Sequence, residues 1–425
     1  MGASGQPILT AMLFLYNILS FLALMFYFPV LLLKKGPADK GAFLMERLGR
    51  STYAETEIWI HAVSVGETLA ALPFLKRLKK EFPQKKITFS TTTYTGQKIA
   101  GEKFPEADRI MYMPIDALPC IAKAVNALRP ECFITVETEI WPLLFTLLKK
   151  SGAAIIILNG RISENSFQGY RRIRFFMKRV LSQVDFLYMQ SEADADRIKA
   201  LGADPGAVGV MGNFKFDFKP DSAEAPEWLH RVKGRIFLAG STHKGEEAII
   251  IEAFRNIRED FHDVVLILAP RHPERFAEVA AVLREKEVDY IKRSSMTDDH
   301  TPAFQAILLD TMGELSKVYA RSEVSFIGGS LVPVGGHNIM EPAYWSRPVL
   351  FGPYMNNFPV ASEFVKKGAA IQVNNRGEIV QAVRSLLNNP EEALRMGEKA
   401  KTLVVQNTGA AGRAMDLLRR YLGNS

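Results

Sequence analysis

The chain has 425 residues, which is too many for a single hydrophobic core, so two domains are expected. Hydrophobic residues make up 48% and charged residues 23%, as in an ordinary globular protein, and two cysteines, Cys120 and Cys132, give no sign of a disulfide framework or a zinc site. The net charge of +7 suits an anionic membrane surface or anionic substrates. The sequence contains no nucleic-acid motif, so nucleic acid is not an expected partner.

The first predicted element is the apolar segment at residues 8–33, within a stretch that has no charged side chain. It is long enough for the roughly 20 residues that cross a bilayer core, and it lacks the basic start and cleavage site of a signal peptide. Basic residues occupy five positions between 34 and 50, which by the positive-inside rule places the C-terminal bulk in the cytoplasm. We expect a membrane anchor over residues 1–35. An interfacial helix kinked at Pro29 and a buried core helix are the alternatives.

From Ile58 onward, short apolar runs alternate with helical patterns, which predicts parallel sheets with helices on both faces. The polar stretch Phe218–Pro226 predicts a linker between a domain at residues 36–218 and a second at residues 219–425. We expect two doubly wound domains that face each other across a deep cleft. The predicted strands are Ile58–Val63, Ile87–Thr91, Arg109–Met113, Cys132–Val136, Ala154–Leu158, Phe186–Met189, Val208–Met211, Ile236–Ala239, Val264–Leu268, Tyr290–Ile291, Ile307–Leu309, Val324–Ile327, Val349–Phe351 and Ala370–Val373.

Three charged residues of the first domain are candidates for chemistry. Glu67 follows the first strand after a small-residue turn, where a helix N-terminus favours an ionised carboxylate that can act as a general base. Glu137 follows the strand Cys132–Val136, and Lys215 lies near the domain junction, where it can meet developing negative charge. The structural alternatives are that the two acids only stabilise the N-terminal ends of their helices and that the lysine only lies on the surface.

Four strand ends of the second domain offer what a nucleotide needs, and we expect them to converge on one pocket. Turns such as Gly240–His243 and Gly328–Ser330 predict free backbone N–H groups for a phosphate. Arg271 can add a charge-assisted bond, and Glu341 can accept from the hydroxyls of a ribose. A single glycine at a strand end is more often structural, so the prediction rests on the four ends together.

Two motifs favour structural interpretations. Asp194-Ala-Asp196 resembles a metal motif of some sugar transferases, but Ser191 before it indicates a capped helix start, and no metal or other cofactor is expected. His61 lies within a strand and is expected to be a core histidine. The stretch Gln168–Leu181 predicts a basic amphipathic helix, either a plain surface helix or one against anionic lipid head groups. Its basic residues are Arg171, Arg172, Arg174, Lys178 and Arg179.

Six ordered motifs resemble those of the 3-deoxy-D-manno-octulosonate (Kdo) transferases of lipopolysaccharide synthesis, from the N-terminal segment to the last helix. They are His61-Ala-Val-Ser-Val-Gly-Glu67, Glu137-Thr-Glu-Ile-Trp-Pro142, Lys215-Phe-Asp217, Pro270-Arg-His-Pro-Glu-Arg-Phe276, Asp310-Thr-Met-Gly-Glu-Leu315, and Gly328-Gly-Ser with Gly335-Gly-His-Asn-Ile-Met-Glu341. The resemblance implies a GT-B fold of two Rossmann-like domains with the active site between them, CMP-Kdo as donor, and a lipid A precursor as acceptor at the inner membrane.

The resemblance also implies roles for individual residues. Glu67 matches the catalytic base, and Glu137 and Lys215 match residues that stabilise the transition state. The segments that match CMP-binding residues are Pro270 and Arg271, then Met312, Gly313 and Glu314, and finally Asn338, Ile339, Met340 and Glu341. Two alternatives stay open: a nucleotide-sugar 2-epimerase of the same architecture, which would be soluble, and a membrane-tethered nucleotide- or lipid-binding module, which would need no base.

Overall fold

The computed structural model of the protein describes residues 6–33, 40–217, 224–296 and 304–422; of the first helix, the side chains at 6–11, 24 and 27–33 lie outside the description. The chain forms two compact units, Met1–Asp217 with Asn407–Ser425, and Phe218–Gln406. Most of the predicted linker, residues 218–223, falls outside the described residues, as do Lys34 and Lys35.

The first unit is built on a sheet of seven parallel strands in the order β3-β2-β1-β4-β5-β6-β7. The strands are β1 (Ile58–His61), β2 (Ile87–Thr91), β3 (Arg109–Tyr112), β4 (Cys132–Val136), β5 (Ala154–Gly160), β6 (Phe186–Met189) and β7 (Val208–Val210). The helices are α1 (Gln6–Leu33), α2 (Lys40–Arg47), α3 (Val65–Glu81), α4 (Tyr94–Lys103), α5 (Leu118–Leu128), α6 (Pro142–Lys150), α7 (Glu164–Arg172), α8 (Arg174–Leu181) and α9 (Glu192–Leu201). β1, β2, β4 and β5 are buried along their whole length, as expected for a sheet covered on both faces.

The second unit repeats this plan with seven parallel strands in the order β10-β11-β9-β8-β12-β13-β14. The strands are β8 (Arg235–Thr242), β9 (Val264–Pro270), β10 (Tyr290–Lys292), β11 (Ala306–Leu308), β12 (Ser322–Ile327), β13 (Val349–Phe351) and β14 (Ile371–Gln372). The helices are α10 (Glu246–Asp260), α11 (Phe276–Glu285), α12 (Leu315–Val318), α13 (Met340–Tyr344), α14 (Ala361–Lys366), α15 (Arg376–Asn388) and α16 (Pro390–Asn407). All fourteen predicted strands are confirmed, with small differences at their ends.

The last helix, α17 (Ala410–Leu422), returns to the first unit. Its apolar face, including Met415 and Leu418, packs in the same core cluster as Ile58 and Phe74. The second unit is therefore not the uninterrupted stretch 219–425 that was expected. The amphipathic pattern of α17 predicts that one face is buried, but it carries no information about which sheet buries it.

The predicted membrane anchor includes the helix α1. Among the residues that the structure describes, no helix is both long enough and apolar enough to cross a membrane. The anchor over residues 1–35 stays a prediction. The described part of α1 contacts the first unit through Tyr16, whose hydroxyl donates to Asp116 Oδ2 at 3.0 Å, and through Asn17, whose Oδ1 accepts from the backbone of Leu118 at 2.8 Å.

In each sheet the chain order reverses at the first strand, between β1 and β4 in the first unit and between β8 and β12 in the second. Strands on the two sides of such a reversal send their following helices to opposite faces, which leaves a crevice at their carboxyl ends. These two positions are where ligands bind in open α/β sheets, and both are occupied by motifs singled out from the sequence.

Candidate active site

The reversal in the first sheet brings two predicted acids together. β1 and β4 are parallel neighbours with His61 opposite Thr135, so both strands end at the same edge. Glu67 lies in the first turn of α3, which follows β1, and Glu137 directly follows β4. Glu137 adopts a left-handed backbone with φ of 64°, a conformation that costs a non-glycine residue about 1–3 kcal/mol and is concentrated at functional sites.

The hydrogen bonds of Glu67 are those of a helix-capping residue. Its Oε2 accepts from the N–H of Val63 at 2.6 Å, and its Oε1 accepts from the Ser64 hydroxyl at 3.0 Å. In return the Ser64 oxygen accepts from the N–H of Glu67 at 3.4 Å, which makes Ser64 the N-cap of α3. Glu378 at the start of α15 is held in the same way by the backbone of Asn374 and the side chain of Asn375. Capping geometry alone therefore does not identify a base.

The surroundings of Glu67 separate it from an ordinary cap. The hydrogen bonds of Glu378 are exposed to solvent, whereas those of Glu67 are partly buried. Burial raises the pKa of Glu67 to about 7, and the carboxylates of Glu137 and Glu139 act in the same direction. Burial, with Glu137 as the second cause, also raises the pKa of Glu139 to about 7. A carboxyl group whose pKa lies near neutral pH is suited to accept a proton during a reaction.

Two hydrogen bonds place a pair of cations beside this acidic cluster. Lys215 lies in the short 3-10 turn Phe214–Asp217, and the N–H of Phe214 donates to Asn159 Oδ1 at 2.9 Å. Two residues after Asn159, the N–H of Arg161 donates to Thr138 Oγ1 at 2.8 Å, within the loop that begins at Glu137. Hydrogen bonds thus connect the turn that holds Lys215 to the end of β5, and the segment after β5 to the loop after β4.

The charge of Lys215 is balanced between neighbours of both signs. Burial lowers the pKa of its ammonium group and Arg161 acts in the same direction, while Glu137 and Glu67 raise it. Lys215 thus lies within electrostatic reach of both predicted carboxylates, and the surface-lysine alternative does not describe its surroundings. Glu139 belongs to the motif Glu137-Thr-Glu-Ile-Trp-Pro142, which the sequence singles out. The sequence signal of Arg161 was limited to its position three residues after the end of a predicted strand.

The reversal in the second sheet corrects one prediction. The N–H groups of the turn Gly328–Ser330 were expected to be free for a phosphate. Instead, those of Gly329, Ser330 and the following Leu331 donate to the carboxylate of Glu246, at 2.7 to 2.9 Å. The glycine-rich pattern predicts an anion cradle correctly, but it does not reveal that a side chain 83 residues earlier fills it.

Above this turn lies a cluster of positively charged and titratable groups. The Nε2 atoms of His243 and His337 are 2.7 Å apart, so one ring carries the proton that the other accepts. The ring of His272 packs edge-on against His243 at 5.2 Å. Burial lowers the pKa of His337 to about 3, with His243 and Arg271 as further causes. In the described part of the chain, the half-buried guanidinium of Arg271 makes no hydrogen bond or ion pair, so its N–H donors are available to an anion.

Glu341 lies in the first turn of α13, where the Asn338 amide donates to its Oε1 at 3.4 Å. Burial raises the pKa of Glu341 to about 7, while Asn338 and Arg271 oppose that rise. Asn338 also accepts from the N–H of Met340 at 3.0 Å, which fixes the turn. The side chains of Ile339 and Met340 are buried, so these predicted contacts with a ligand are restricted to their backbone atoms.

The remaining predicted donor-binding residues differ in how much they expose. Pro270 is buried at the end of β9, whereas the side chain of Met312 is 67% exposed and Gly313 has a φ of 83°. The Glu314 carboxylate accepts from Trp228 at 3.1 Å and from Arg293 at 3.3 Å, so its capacity for further partners is reduced.

The predicted basic helix is two helices. The chain breaks at Ile173, with φ of −114° and ψ of 29°, between α7 and α8. The side chain of Ile173 is 50% exposed, whereas those of Met177 and Val180 are buried. The helical period of the sequence runs through this break and does not signal it. Of the predicted basic residues, Arg179 is half-buried and stacks on Phe175, and the others are exposed: Arg171, Arg172, Arg174 and Lys178.

Two structural interpretations are confirmed. His61 is fully buried and its Nδ1 lies 3.0 Å from Ser90, and burial lowers its pKa to about 3. Ser191 caps α9 and contacts Asp194, whose other oxygen accepts from the backbone of Ile162 at 2.8 Å. Among the described residues, no group of three or more His, Cys, Asp or Glu side chains is arranged to hold a metal ion.

Comparison with known proteins decides the family. The family model described as 3-Deoxy-D-manno-octulosonic-acid transferase (kdotransferase) matches residues 43–218. A 3-deoxy-D-manno-octulosonic acid transferase of Haemophilus influenzae is 34% identical over 374 residues, which cover 86% of this chain and 87% of that protein. The chain belongs to this transferase family. The transferase of the same name from Rickettsia typhi is 30% identical, over 82% of this chain and 76% of that one.

The protein is therefore an enzyme, a glycosyltransferase. Among solved structures, a UDP-GlcNAc 2-epimerase from Neisseria meningitidis bound to UDP-GlcNAc has a TM-score of 0.58, with 11% identity over 86% of this chain and all of that one. At that identity the likeness shows the fold alone. Two parallel-sheet α/β units with such neighbours agree with the predicted GT-B class, while the family match separates this transferase from the epimerase alternative.

Proposed function

We propose that this transferase moves a Kdo residue from CMP-Kdo to a hydroxyl group of a lipid A precursor in lipopolysaccharide synthesis, without a metal ion, and that Glu67 is the general base. The observation that carries the proposal is the cluster at the end of β1 and β4. There a half-buried carboxyl group with a pKa of about 7 lies within electrostatic reach of Glu137, Glu139 and Lys215.

The reaction needs one proton acceptor and a way to stabilise a departing anion. A sugar hydroxyl is a poor nucleophile, and Glu67 takes its proton as the oxygen bonds to the anomeric carbon of Kdo. The bond between that carbon and the phosphate oxygen breaks, and CMP leaves with the electron pair. Lys215, with Glu137 beside it, provides a fixed positive charge for the carboxylate that Kdo carries through the transition state.

The second unit supplies the residues proposed to bind the nucleotide. Arg271 is available for the phosphate, because no described group pairs with its guanidinium. Glu341 is the candidate acceptor for ribose hydroxyls, and a pKa near 7 leaves it able to serve as acceptor or donor. The donor and its CMP product share these contacts, so CMP is a suitable ligand for measuring them.

We also propose that the enzyme works at the cytoplasmic face of the inner membrane, anchored by residues 1–35. The support lies in exposed apolar side chains of α1, which include Phe14 at 66% and Phe26 at 78% exposure. The ring of Tyr16 on the same helix lies 6.2 Å from the ring of Phe176 in α8, so the basic surface of α7 and α8 lies beside α1. Apolar and basic residues side by side suit a surface of anionic lipids.

The test is transfer from CMP-Kdo, generated in situ, to a tetra-acylated lipid A precursor in detergent with EDTA present, with products analysed by mass spectrometry. A mass gain of one or more Kdo units supports donor, acceptor and metal independence together and counts the sugars added. Gain only after Mg²⁺ is added would contradict metal independence. No gain under either condition, from protein that binds CMP, would contradict the proposed substrates.

A further inference from the structure

Glu246, the first residue of α10, is fully buried and begins a helix that follows β8. In the described part of the chain, no lysine, arginine or histidine side chain forms an ion pair with its carboxylate. A buried carboxylate is costly unless its oxygens are well satisfied by hydrogen bonds. The environment of Glu246 therefore needs a specific explanation.

The partners of Glu246 are backbone N–H groups from two separate turns. Its Oε2 accepts from His243 at 2.9 Å and from Gly329 at 2.7 Å, and its Oε1 accepts from Ser330 and Leu331, each at 2.9 Å. Three of these donors are consecutive, and Gly329 has a φ of 67°. Consecutive N–H groups that turn inward around a left-handed residue form the concave anion site that proteins use for phosphates. We name these four N–H groups the amide cradle.

The amide cradle is joined to the proposed nucleotide site. The N–H of Gly336 donates to the carbonyl of Gly329 at 2.8 Å, and a Cβ atom placed on Gly329 would lie 3.0 Å from the ring of His337. His337 in turn contacts His243, whose own N–H belongs to the cradle. One carboxylate thus fixes both the turn after β8 and the turn after β12, and the second turn leads directly into Asn338 and Glu341.

We propose that Glu246 is a positioning residue that occupies the amide cradle as a permanent internal anion, so that the turns around the nucleotide site are formed before the donor binds. The identity of the nucleotide rests on the proposed function, but the occupation of the cradle does not. Because the cradle is filled, the phosphate of the donor binds elsewhere, and the four N–H groups keep the same partner throughout the reaction.

Hydrogen–deuterium exchange on the wild-type enzyme in detergent tests the occupation directly. A peptide that covers Gly329, Ser330 and Leu331 should exchange slowly without ligand and gain no protection when CMP is added. Fast exchange that becomes slow only with CMP would overturn the proposal, because the cradle would then be taking the phosphate of the ligand. If CMP does not bind at all, the exchange of the free enzyme still decides the occupation, while the proposed donor fails separately.

Substitution tests the positioning role. Glu246→Ala should lower the affinity for CMP by at least about tenfold, and added formate, which restores a carboxylate to the vacated cradle, should recover a measurable part of that loss. Glu246→Gln should also bind CMP weakly, because its amide NH₂ faces N–H donors, and formate should not help where the side chain still fills the space. CMP affinity is measured by titration calorimetry at a temperature where each variant is folded.

Glu259→Gln is the matched control, since Glu259 lies on the same helix with a side chain that is 69% exposed. It should bind CMP like the wild type with or without formate. A Glu246→Ala protein that binds CMP like the wild type would overturn the positioning role, and so would a weakened variant that formate does not improve. If the variant is unfolded without formate and folds when formate is added, that dependence itself supports the occupied cradle. A variant that stays unfolded in the presence of formate would overturn the proposal.

Discussion

Ser64→Ala separates the two interpretations of Glu67, because the Ser64 hydroxyl serves both the helix and the carboxylate. The substitution removes the N-cap of α3, at a cost of about 0.5–2 kcal/mol of folding free energy. It also removes the hydroxyl that donates to Glu67 Oε1 at 3.0 Å. That donor favours the ionised carboxylate, so its loss raises the pKa of Glu67 further above its ordinary value.

The size of the effect follows from the hydrogen bond. A hydrogen bond to a charged group contributes about 1.5–3 kcal/mol, and about 1.4 kcal/mol corresponds to one pKa unit. Glu67 is half-buried, so the lower end applies, and we expect a shift of about one pH unit. A base acts when it is deprotonated, so kcat/KM of the wild type should rise with pH through about 7, and the rising limb of Ser64→Ala should lie about one unit higher.

The assay is the pH profile of kcat/KM for Kdo transfer between about pH 5 and 9, with thermal unfolding measured in parallel. Asn375→Ala is the matched control, because Asn375 caps α15 and contacts Glu378 as Ser64 contacts Glu67. The control should lose comparable stability and keep the wild-type profile. A Ser64→Ala enzyme that is less stable but has an unshifted profile would refute the general-base interpretation and leave Glu67 as a capping residue.

Three further predictions concern other parts of the chain. Arg271→Met should weaken CMP binding by about tenfold or more, because a charge-assisted contact is lost; calorimetry that gives an unchanged Kd would contradict the assignment. Tyr16→Phe removes a hydrogen-bond donor from the buried carboxylate of Asp116, and burial raises the pKa of Asp116 to about 6. The loss of stability should therefore be larger at pH 8, where Asp116 is ionised, than at pH 5. Equal changes in Tm at the two pH values would contradict this. Glu247→Gln removes the buried carboxylate that Arg275 contacts at 2.5 Å and leaves Arg275 with the more exposed Glu278, at 3.3 Å. Denaturant unfolding should show a loss of about 3 kcal/mol, whereas a loss below about 1 kcal/mol would show that the buried pair is not needed.

The sequence predicted the strands well because burial on both faces makes them continuous apolar runs. In the two sheets together, four predicted strands have the same bounds as the observed strands, among them Cys132–Val136 and Val349–Phe351. The position of Glu67 was equally predictable, because a small-residue turn between a buried strand and a helix leaves little freedom in where the side chain starts. Local pattern and local structure coincide at these places.

The errors share a physical cause, which is contact between distant segments. The cradle of Gly329 is filled by Glu246, and the face of α17 is buried by the first sheet, and neither pairing is encoded in a short window of sequence. The break at Ile173 is also tertiary, since Met177 and Val180 must reach the core while α7 lies on the surface. Helical periodicity describes one helix axis and does not report a change of axis.

Replacement of Glu67 by glutamine tests the central claim most directly. Glutamine keeps the size of the side chain and an oxygen that can accept from Val63, but it cannot take a proton. We expect Kdo transfer by Glu67→Gln to fall by about 10²–10⁴-fold while the Kd for CMP and the Tm stay close to the wild-type values. A variant that transfers Kdo at a rate close to that of the wild type would show that another group removes the proton, and the account of this site would be wrong.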